Sequence, residues 1–155
     1  MGSAYFNLES FMLKRVRIKI CSYIDNLDSA SLPEGEREVS ESEHVGAMKI
    51  SCGETSLSYR ESTEGGNVFS DILMHESGAV TVVRTGAINS TMHFDENEEF
   101  NTVYSLPPYK FDMSVRTKKI RSTLTESGGT IDIFYEMTLG GADKRVKMKI
   151  EVSEE

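Results

Sequence analysis

The chain has 155 residues, 17 Lys and Arg against 25 Asp and Glu, a net charge of −8 and 38% hydrophobic residues. A chain of about 150 residues buries about 68–70% of its unfolded surface, so one domain can form a core without disulfide or metal support. No apolar run approaches the roughly 20 residues of a membrane-spanning helix, and the N-terminus lacks the apolar segment of a signal peptide. We therefore expect one soluble globular domain with no membrane span.

Two cysteines, Cys21 and Cys52, are too few for a disulfide framework or a zinc site. Strand parity predicts that Cys21 points away from the apolar face of its strand and that Cys52 shares that face. No disulfide between them is expected. Free thiols suit a reducing compartment, so we expect a cytoplasmic location.

Residues 1–12 show neither strand alternation nor a capped helix. They are predicted to be a disordered or expression-derived leader. The domain is predicted to span residues 13–152, followed by a tail at 153–155. From residue 13 the hydrophobic period is two almost everywhere, as where Val16, Ile18 and Ile20 alternate with basic residues. This alternation predicts antiparallel strands with one face on a core and the other in water.

Turn-forming residues recur at intervals of about 8–12 residues, which is typical of an all-β sandwich or barrel. They separate about ten predicted strands, with the eighth and ninth segments counted as one long bent strand. The segments are 13–24, 38–52, 55–62, 67–75, 79–84, 87–94, 99–105, 109–117, 119–126, 130–139 and 145–152.

The apolar parity changes within the eighth and ninth segments. Apolar residues occupy odd positions up to Val115 and even positions from Ile120, so the change falls between Thr117 and Lys119. A β-bulge produces this one-residue slip and bends the strand as barrel closure requires. Short connections favour a single antiparallel up-and-down barrel of 8–10 strands over a Greek-key sandwich. The one longer connection, 25–37, is expected to lie over a barrel mouth.

Several segments together resemble the bacterial YwiB-like family, a domain of unknown function. They are the run Val-Val-Arg-Thr-Gly-Ala-Ile at 82–88, Phe94, Tyr104, the segment 110–120 and the run Thr-Ile-Asp-Ile-Phe-Tyr-Glu-Met at 130–137. Their order and spacing cover nearly all of residues 13–152. The resemblance implies a calycin-like (lipocalin-like) barrel, a cytoplasmic bacterial setting and no assigned role or catalytic residue. The sequence departs from the family pattern at 106–109, Leu-Pro-Pro-Tyr, where members commonly have a turn with a glycine.

No catalytic motif occurs in the sequence: there is no nucleophile elbow, Walker loop or dinucleotide-binding glycine run. His44, His75 and His93 lie on separate predicted strands without metal-ligand spacing. We therefore predict no catalytic residue, no metal and no cofactor, and we favour a non-enzymatic protein.

Arg84 shares its parity with Val80 and Val82, so it is expected to face the barrel interior if they do. Either the guanidinium is paired at the rim, which is the rule for arginine, or it anchors the carboxylate or phosphate of a bound molecule. Four tyrosines are predicted either to line the same cavity or to pack in the core: Tyr59, Tyr104, Tyr109 and Tyr135. The leading hypothesis is a barrel that binds a small, partly apolar or anionic ligand in its interior.

Twelve of the 17 basic residues lie in three windows without an acidic residue, 14–19, 116–121 and 144–149. Asp132, Glu136 and the acidic segment 34–43 are expected to pair with parts of them. Barrel closure is predicted to place Arg15, Arg17 and Lys19 beside Arg145, Lys147 and Lys149. That repulsion suggests an interaction surface, so a homo-oligomer or protein-interaction module is the alternative function. Nucleic acid is not favoured, because the chain is acidic and no aromatic residues interleave with the bases.

Overall fold

The computed structural model describes residues 11–27 and 37–155, and every regular element in this part of the chain is a β-strand. The ten strands are β1 (Phe11–Asn26), β2 (Glu38–Ser51), β3 (Glu54–Thr63), β4 (Gly66–Met74), β5 (Val80–Gly86), β6 (Ser90–Phe94), β7 (Glu99–Leu106), β8 (Tyr109–Ser122), β9 (Gly129–Leu139) and β10 (Ala142–Glu154). Over the described ranges there is no helix long and apolar enough to cross a membrane.

The strands form one antiparallel sheet in which chain neighbours lie side by side and β1 also pairs with β10. The two ends of the sheet, β6 and β7, meet at one bridge, where Asn89 and Ser105 exchange two backbone hydrogen bonds of 2.8 Å. The result is a nearly closed barrel of ten strands. The predicted all-β antiparallel barrel is therefore confirmed.

The predicted slip of one residue in the long eighth strand is also present. The pairing of β8 with β9 shifts between Thr117 and Lys119, and β8 contains the predicted segment 109–117 and the segment 119–126 as far as Ser122. The ladders extend further than the predicted domain bounds, since β1 begins at Phe11 and β10 ends at Glu154. The connection predicted over the barrel mouth lies mainly outside the described residues, as do residues 1–10 of the predicted leader.

The core lies inside the barrel and is built from the apolar members of the alternating strands. Its fully buried side chains come from most of the strands: Val16, Ile18, Met48, Leu57, Val68, Ile72, Val80, Phe94, Val115, Ile131, Ile133 and Ile150. Each contributes about 1.5–3 kcal/mol by leaving water. The buried side chains therefore fall on alternate positions of the strands, as the period of two in the sequence predicts.

The prediction for one cysteine was wrong. Cys52 lies in the turn between β2 and β3 with φ of 52° and is exposed, because the turn ends the alternation that placed it on the buried face. Cys21 is partly buried in β1, and both cysteines are free thiols.

The predicted juxtaposition of the basic first and last strands was also wrong. β1 does pair with β10, but antiparallel pairing sets the beginning of β1 against the acidic end of β10, with Lys19 opposite Glu151. Ion pairs of 2.9 Å and 2.6 Å join Lys14 to Glu154 and Arg15 to Glu155. The basic end of β10 instead faces the second half of β1, where Lys149 lies opposite Cys21 and Lys147 opposite Tyr23. No row of like charges forms between the two strands.

Thr117 at the bulge offers a stability test. Its Oγ1 is buried and has no hydrogen-bond partner in the described part of the chain. Because an unpaired buried hydroxyl costs about 1–3 kcal/mol of desolvation, we expect Thr117→Val to raise the free energy of unfolding by about 1 kcal/mol in urea denaturation.

Thr138→Val is the matched control for this substitution. The Thr138 hydroxyl bonds Asp143 Oδ1 at 2.5 Å, so its loss should lower stability. Equal effects of the two substitutions, or destabilisation by Thr117→Val, would show that the Thr117 hydroxyl forms a hydrogen bond in the folded protein.

Candidate functional site

The barrel contains an internal cavity of about 320 Å³ near the end at which β2 begins and β3 and β5 end. Most of its wall is apolar, and polar groups gather on one side. The apolar residues are Ile20, Ile72, Val82, Met92, Phe94, Met148 and Ile150, and the polar or hydroxyl-bearing residues are Ser40, Glu41, Ser42, Tyr59, Glu61, Arg84 and Tyr135.

The polar side of the cavity follows a gap between β2 and β3. The ladder between these strands runs from Ser51 and Glu54 to Ala47 and Ser58 and stops there, although β2 continues to pair with β1. Residues 40–42 line the cavity from the β2 side of the gap, and Tyr59 and Glu61 line it from β3. The separation of these two strands therefore creates the space that a fully paired sheet would close.

Arg84 lies at this polar side, on the inward face of β5 as its parity predicted. Val80 on the same face is fully buried, whereas the Arg84 side chain is 28% exposed. Its Nη2 lies 3.6 Å from Glu61 Oε1. The guanidinium is thus an ion-paired group on the cavity wall, and its role as an anchor for a bound molecule stays a prediction.

Tyr59 stands next to this ion pair and is stacked on a histidine. Its ring lies 4.2 Å from the ring of His44, with an angle of 13° between the planes. Burial raises the pKa of the Tyr59 phenol above its ordinary value, so the hydroxyl stays protonated at neutral pH. Tyr59 therefore presents a neutral hydroxyl that can donate or accept a hydrogen bond.

Comparison with known proteins decides the family. The family model described as a domain of unknown function (DUF1934) matches residues 26–151, which is most of the chain. This chain belongs to the DUF1934 family. The uncharacterized beta-barrel protein YwiB of Bacillus subtilis (strain 168) is 30% identical over 107 residues, covering 69% of this chain and 75% of that protein.

The fold of this DUF1934 domain also matches a solved structure. The crystal structure of ywiB protein from Bacillus subtilis superposes with a TM-score of 0.75 at 24% identity, covering 94% of this chain and 97% of that one. The predicted YwiB-like resemblance is therefore confirmed. The description of the family assigns it no function.

Two of the four predicted tyrosines reach the cavity of this DUF1934 domain. Tyr135 is almost completely buried, packs its ring 4.7 Å from that of Phe94, and has a pKa raised strongly by burial. Tyr104 packs against the core without lining the cavity, and Tyr109 is 62% exposed in the first pair of the β7–β8 hairpin. Arg84, Tyr59 and Tyr135 thus form the part of the predicted site that the fold brings together.

Sequence reasoning missed Glu61, the partner of Arg84. Its signal was present, because Leu57, Tyr59 and Glu61 share the inward parity of β3. Glu61 on β3 and Arg84 on β5 both flank β4, so the two side chains meet across the inner face of that strand, and the pair becomes predictable only once the strand order is known.

Two of the histidines approach each other on the outer face, which the sequence spacing did not predict. His75 Nε2 and His93 Nδ1 each lie 2.8 Å from Thr81 Oγ1, and His75 Nδ1 lies 2.9 Å from Glu54 Oε2. The pairing of β5 with β6 sets Thr81 opposite His93. Within residues 11–27 and 37–155, no group of three or more His, Cys, Asp or Glu side chains is arranged to hold a metal ion.

Proposed function

We propose that the barrel binds a small, mainly apolar molecule in its internal cavity. The observation that carries this proposal is the cavity of about 320 Å³ with a largely apolar wall and a few polar groups on one side. Small-molecule sites occupy about 300–1,000 Å³ and combine an apolar lining with a few oriented polar groups. Arg84, Tyr59 and Glu61 supply those groups.

The charges on the cavity wall favour a neutral ligand over an anionic one. The lining holds one cation, Arg84, and two carboxylates, Glu41 and Glu61. Since Arg84 already pairs with Glu61, an incoming carboxylate must displace Glu61 and leave it without its partner. A hydroxyl or amide group can instead share hydrogen bonds with the Tyr59 hydroxyl and the ion pair.

The alternative function, an interaction module built on the basic strands, loses the repulsion that suggested it. Arg15 pairs with Glu155, Arg17 pairs with Glu43 at 3.1 Å, and Lys19 lies opposite Glu43 and Glu151. Homo-oligomerisation stays a prediction that sedimentation at several protein concentrations can test.

The proposal is tested with octanol and octanoate as matched probes in an amide NMR titration. We expect saturable shifts in strands β2, β3 and β5 with octanol and binding at least about tenfold weaker with octanoate. Val82→Phe adds bulk to the cavity wall and should weaken octanol binding. Val83→Phe, on the opposite face of the same strand, should leave binding unchanged.

The proposal fails if octanol causes no saturable shift in a protein shown to be folded, or if both phenylalanine variants bind it equally. A stronger response to octanoate would overturn the preference for a neutral ligand and restore the anionic one. Native mass spectrometry of gently purified protein gives a second readout, as an extra mass that disappears on denaturation.

A further inference from the structure

A second cavity, of about 200 Å³, lies on the outer side of the barrel, and the only lining residue that it shares with the internal cavity is the buried Tyr135. It is bounded by the end of β1, the beginning of β10, the end of β9 and the bulge of β8. We call it the basic cleft, because its cations are Arg37, Lys118, Arg145 and Lys147. Two of the three basic windows in the sequence, 116–121 and 144–149, meet here.

The positive charges of the basic cleft are only partly balanced. Its carboxylates are Asp25 and Glu136. Asp25 is engaged by Arg37 through two hydrogen bonds of 3.0 and 3.3 Å, and Glu136 lies 3.6 Å from Lys118.

Arg145 and Lys147 are the other two cations, and the register sets Arg145 opposite Asp25 on β1 and Glu136 on β9. Among the residues that the structure describes, neither has a carboxylate oxygen within 4.0 Å, the distance that defines an ion pair. Both side chains are exposed. With four cations and two carboxylates, the described lining of the cleft has an excess of two positive charges, which attracts an anion that carries more than one charge.

Aromatic rings border the same cleft. Lys147 Nζ lies 5.2 Å from the centre of the Phe134 ring, and the Arg37 guanidinium lies 5.9 Å from that of Tyr23. In the barrel register Lys147 stands between these two rings, opposite Tyr23 on β1 and Phe134 on β9. The rings hold the cations by cation–π attraction and offer an apolar surface to the organic part of a ligand.

We propose that the basic cleft binds a small phosphate monoester whose organic part is an aromatic ring. Arg145 and Lys147 are two residues apart on one face of β10, which places their backbones about 6–7 Å apart and lets both side chains reach one phosphate group. Arginine binds two phosphate oxygens in parallel, and lysine adds a point charge. The dianion matches the excess of two positive charges in the described lining, and the aromatic ring packs against Phe134 once Lys147 turns from that ring to the phosphate.

The test is an amide NMR titration of the full chain with phenyl phosphate, inorganic phosphate and benzylamine. Phenyl phosphate should cause saturable shifts confined to residues 23–25, 134–136 and 145–147. Inorganic phosphate should bind the same residues more weakly because it lacks the ring. Benzylamine should not bind because its ammonium group has the same positive charge as the cleft.

Matched charge variants separate the cleft from general attraction. Arg145→Gln with Lys147→Gln should weaken phenyl phosphate binding at least about tenfold. Arg60→Gln with Lys110→Gln removes the same charge from exposed positions that do not line the cleft and should leave binding unchanged.

Three results would overturn the proposal. They are the absence of saturable shifts with phenyl phosphate, shifts that lie outside the cleft, and equal weakening by the two double variants. Equal affinity for inorganic phosphate and phenyl phosphate would overturn the aromatic part of it. None of these results depends on whether the internal cavity binds octanol, so the two proposals stand or fall separately.

Discussion

Replacing Phe94 with alanine should lower the free energy of unfolding by about 3–5 kcal/mol, the range for large aromatic side chains removed from a core. Phe94 is fully buried and packs its ring against Tyr135. It ends β6, a strand of five residues that meets β7 through a single bridge. Removing the ring therefore leaves a cavity beside the place where a single bridge closes the barrel. Guanidinium denaturation followed by far-ultraviolet circular dichroism measures the loss.

Phe69→Ala is the control for this prediction. Phe69 lies on the outer face of β4 with 49% of its surface exposed, so the same change should cost about 1 kcal/mol or less. A domain is stable by about 5–15 kcal/mol, so the Phe94 loss is a large share of the total. Similar losses for the two substitutions would show that Phe94 does not hold the β6–β7 end of the barrel.

The sequence predicted the faces of the strands because a barrel imposes one simple rule on its residues. Each strand alternates between core and water, so Val16, Ile18 and Val115 were assigned to the interior from parity alone. The same rule located the bulge between Thr117 and Lys119, since a slip of one residue reverses the faces. Period-two alternation was therefore sufficient to predict the buried faces of these strands and the position of the bulge.

Register was beyond that rule. Sliding one strand by two residues keeps every side chain on its face but changes all of its neighbours. The prediction consequently placed the basic residues of β1 beside the basic residues of β10. The actual register places Lys19 opposite Glu151 and Asp25 opposite Arg145. Local turn geometry was similarly hidden, as the exposed Cys52 shows.

The candidate site was likewise predictable only where it depends on strand parity. The inward direction of Arg84 and Tyr59 followed from parity, and both line the cavity. The cavity itself depends on where the ladder between β2 and β3 stops, and no local pattern encodes that end. Tyr109 does not line this cavity for a related reason, because it lies at the tip of a hairpin.

Gly46 marks the point where the two strands separate, and Gly46→Ala should lower the free energy of unfolding by about 2–3 kcal/mol. It immediately precedes Ala47, which forms the last β2–β3 pair with Ser58. A methyl group on Gly46 would overlap the backbone carbonyl oxygen of Ser58 and lie 3.1 Å from Tyr59 Cβ. Because the obstacle is backbone, the strands themselves must move apart. We expect a lower midpoint in thermal and urea unfolding, together with NMR shifts at His44 and Tyr59.

Gly65→Ala separates this steric effect from the general cost of changing a glycine. Gly65 does not have the left-handed φ that favours glycine, and a methyl group there would approach nothing closer than Ala87 Cβ at 3.8 Å. Its stability should change by less than about 0.5 kcal/mol. If Gly46→Ala proved as harmless, the close approach of β2 and β3 at Ser58 would not limit the opening of the cavity. If it is costly and also changes octanol binding, the strand separation at Gly46 controls the geometry of the internal site.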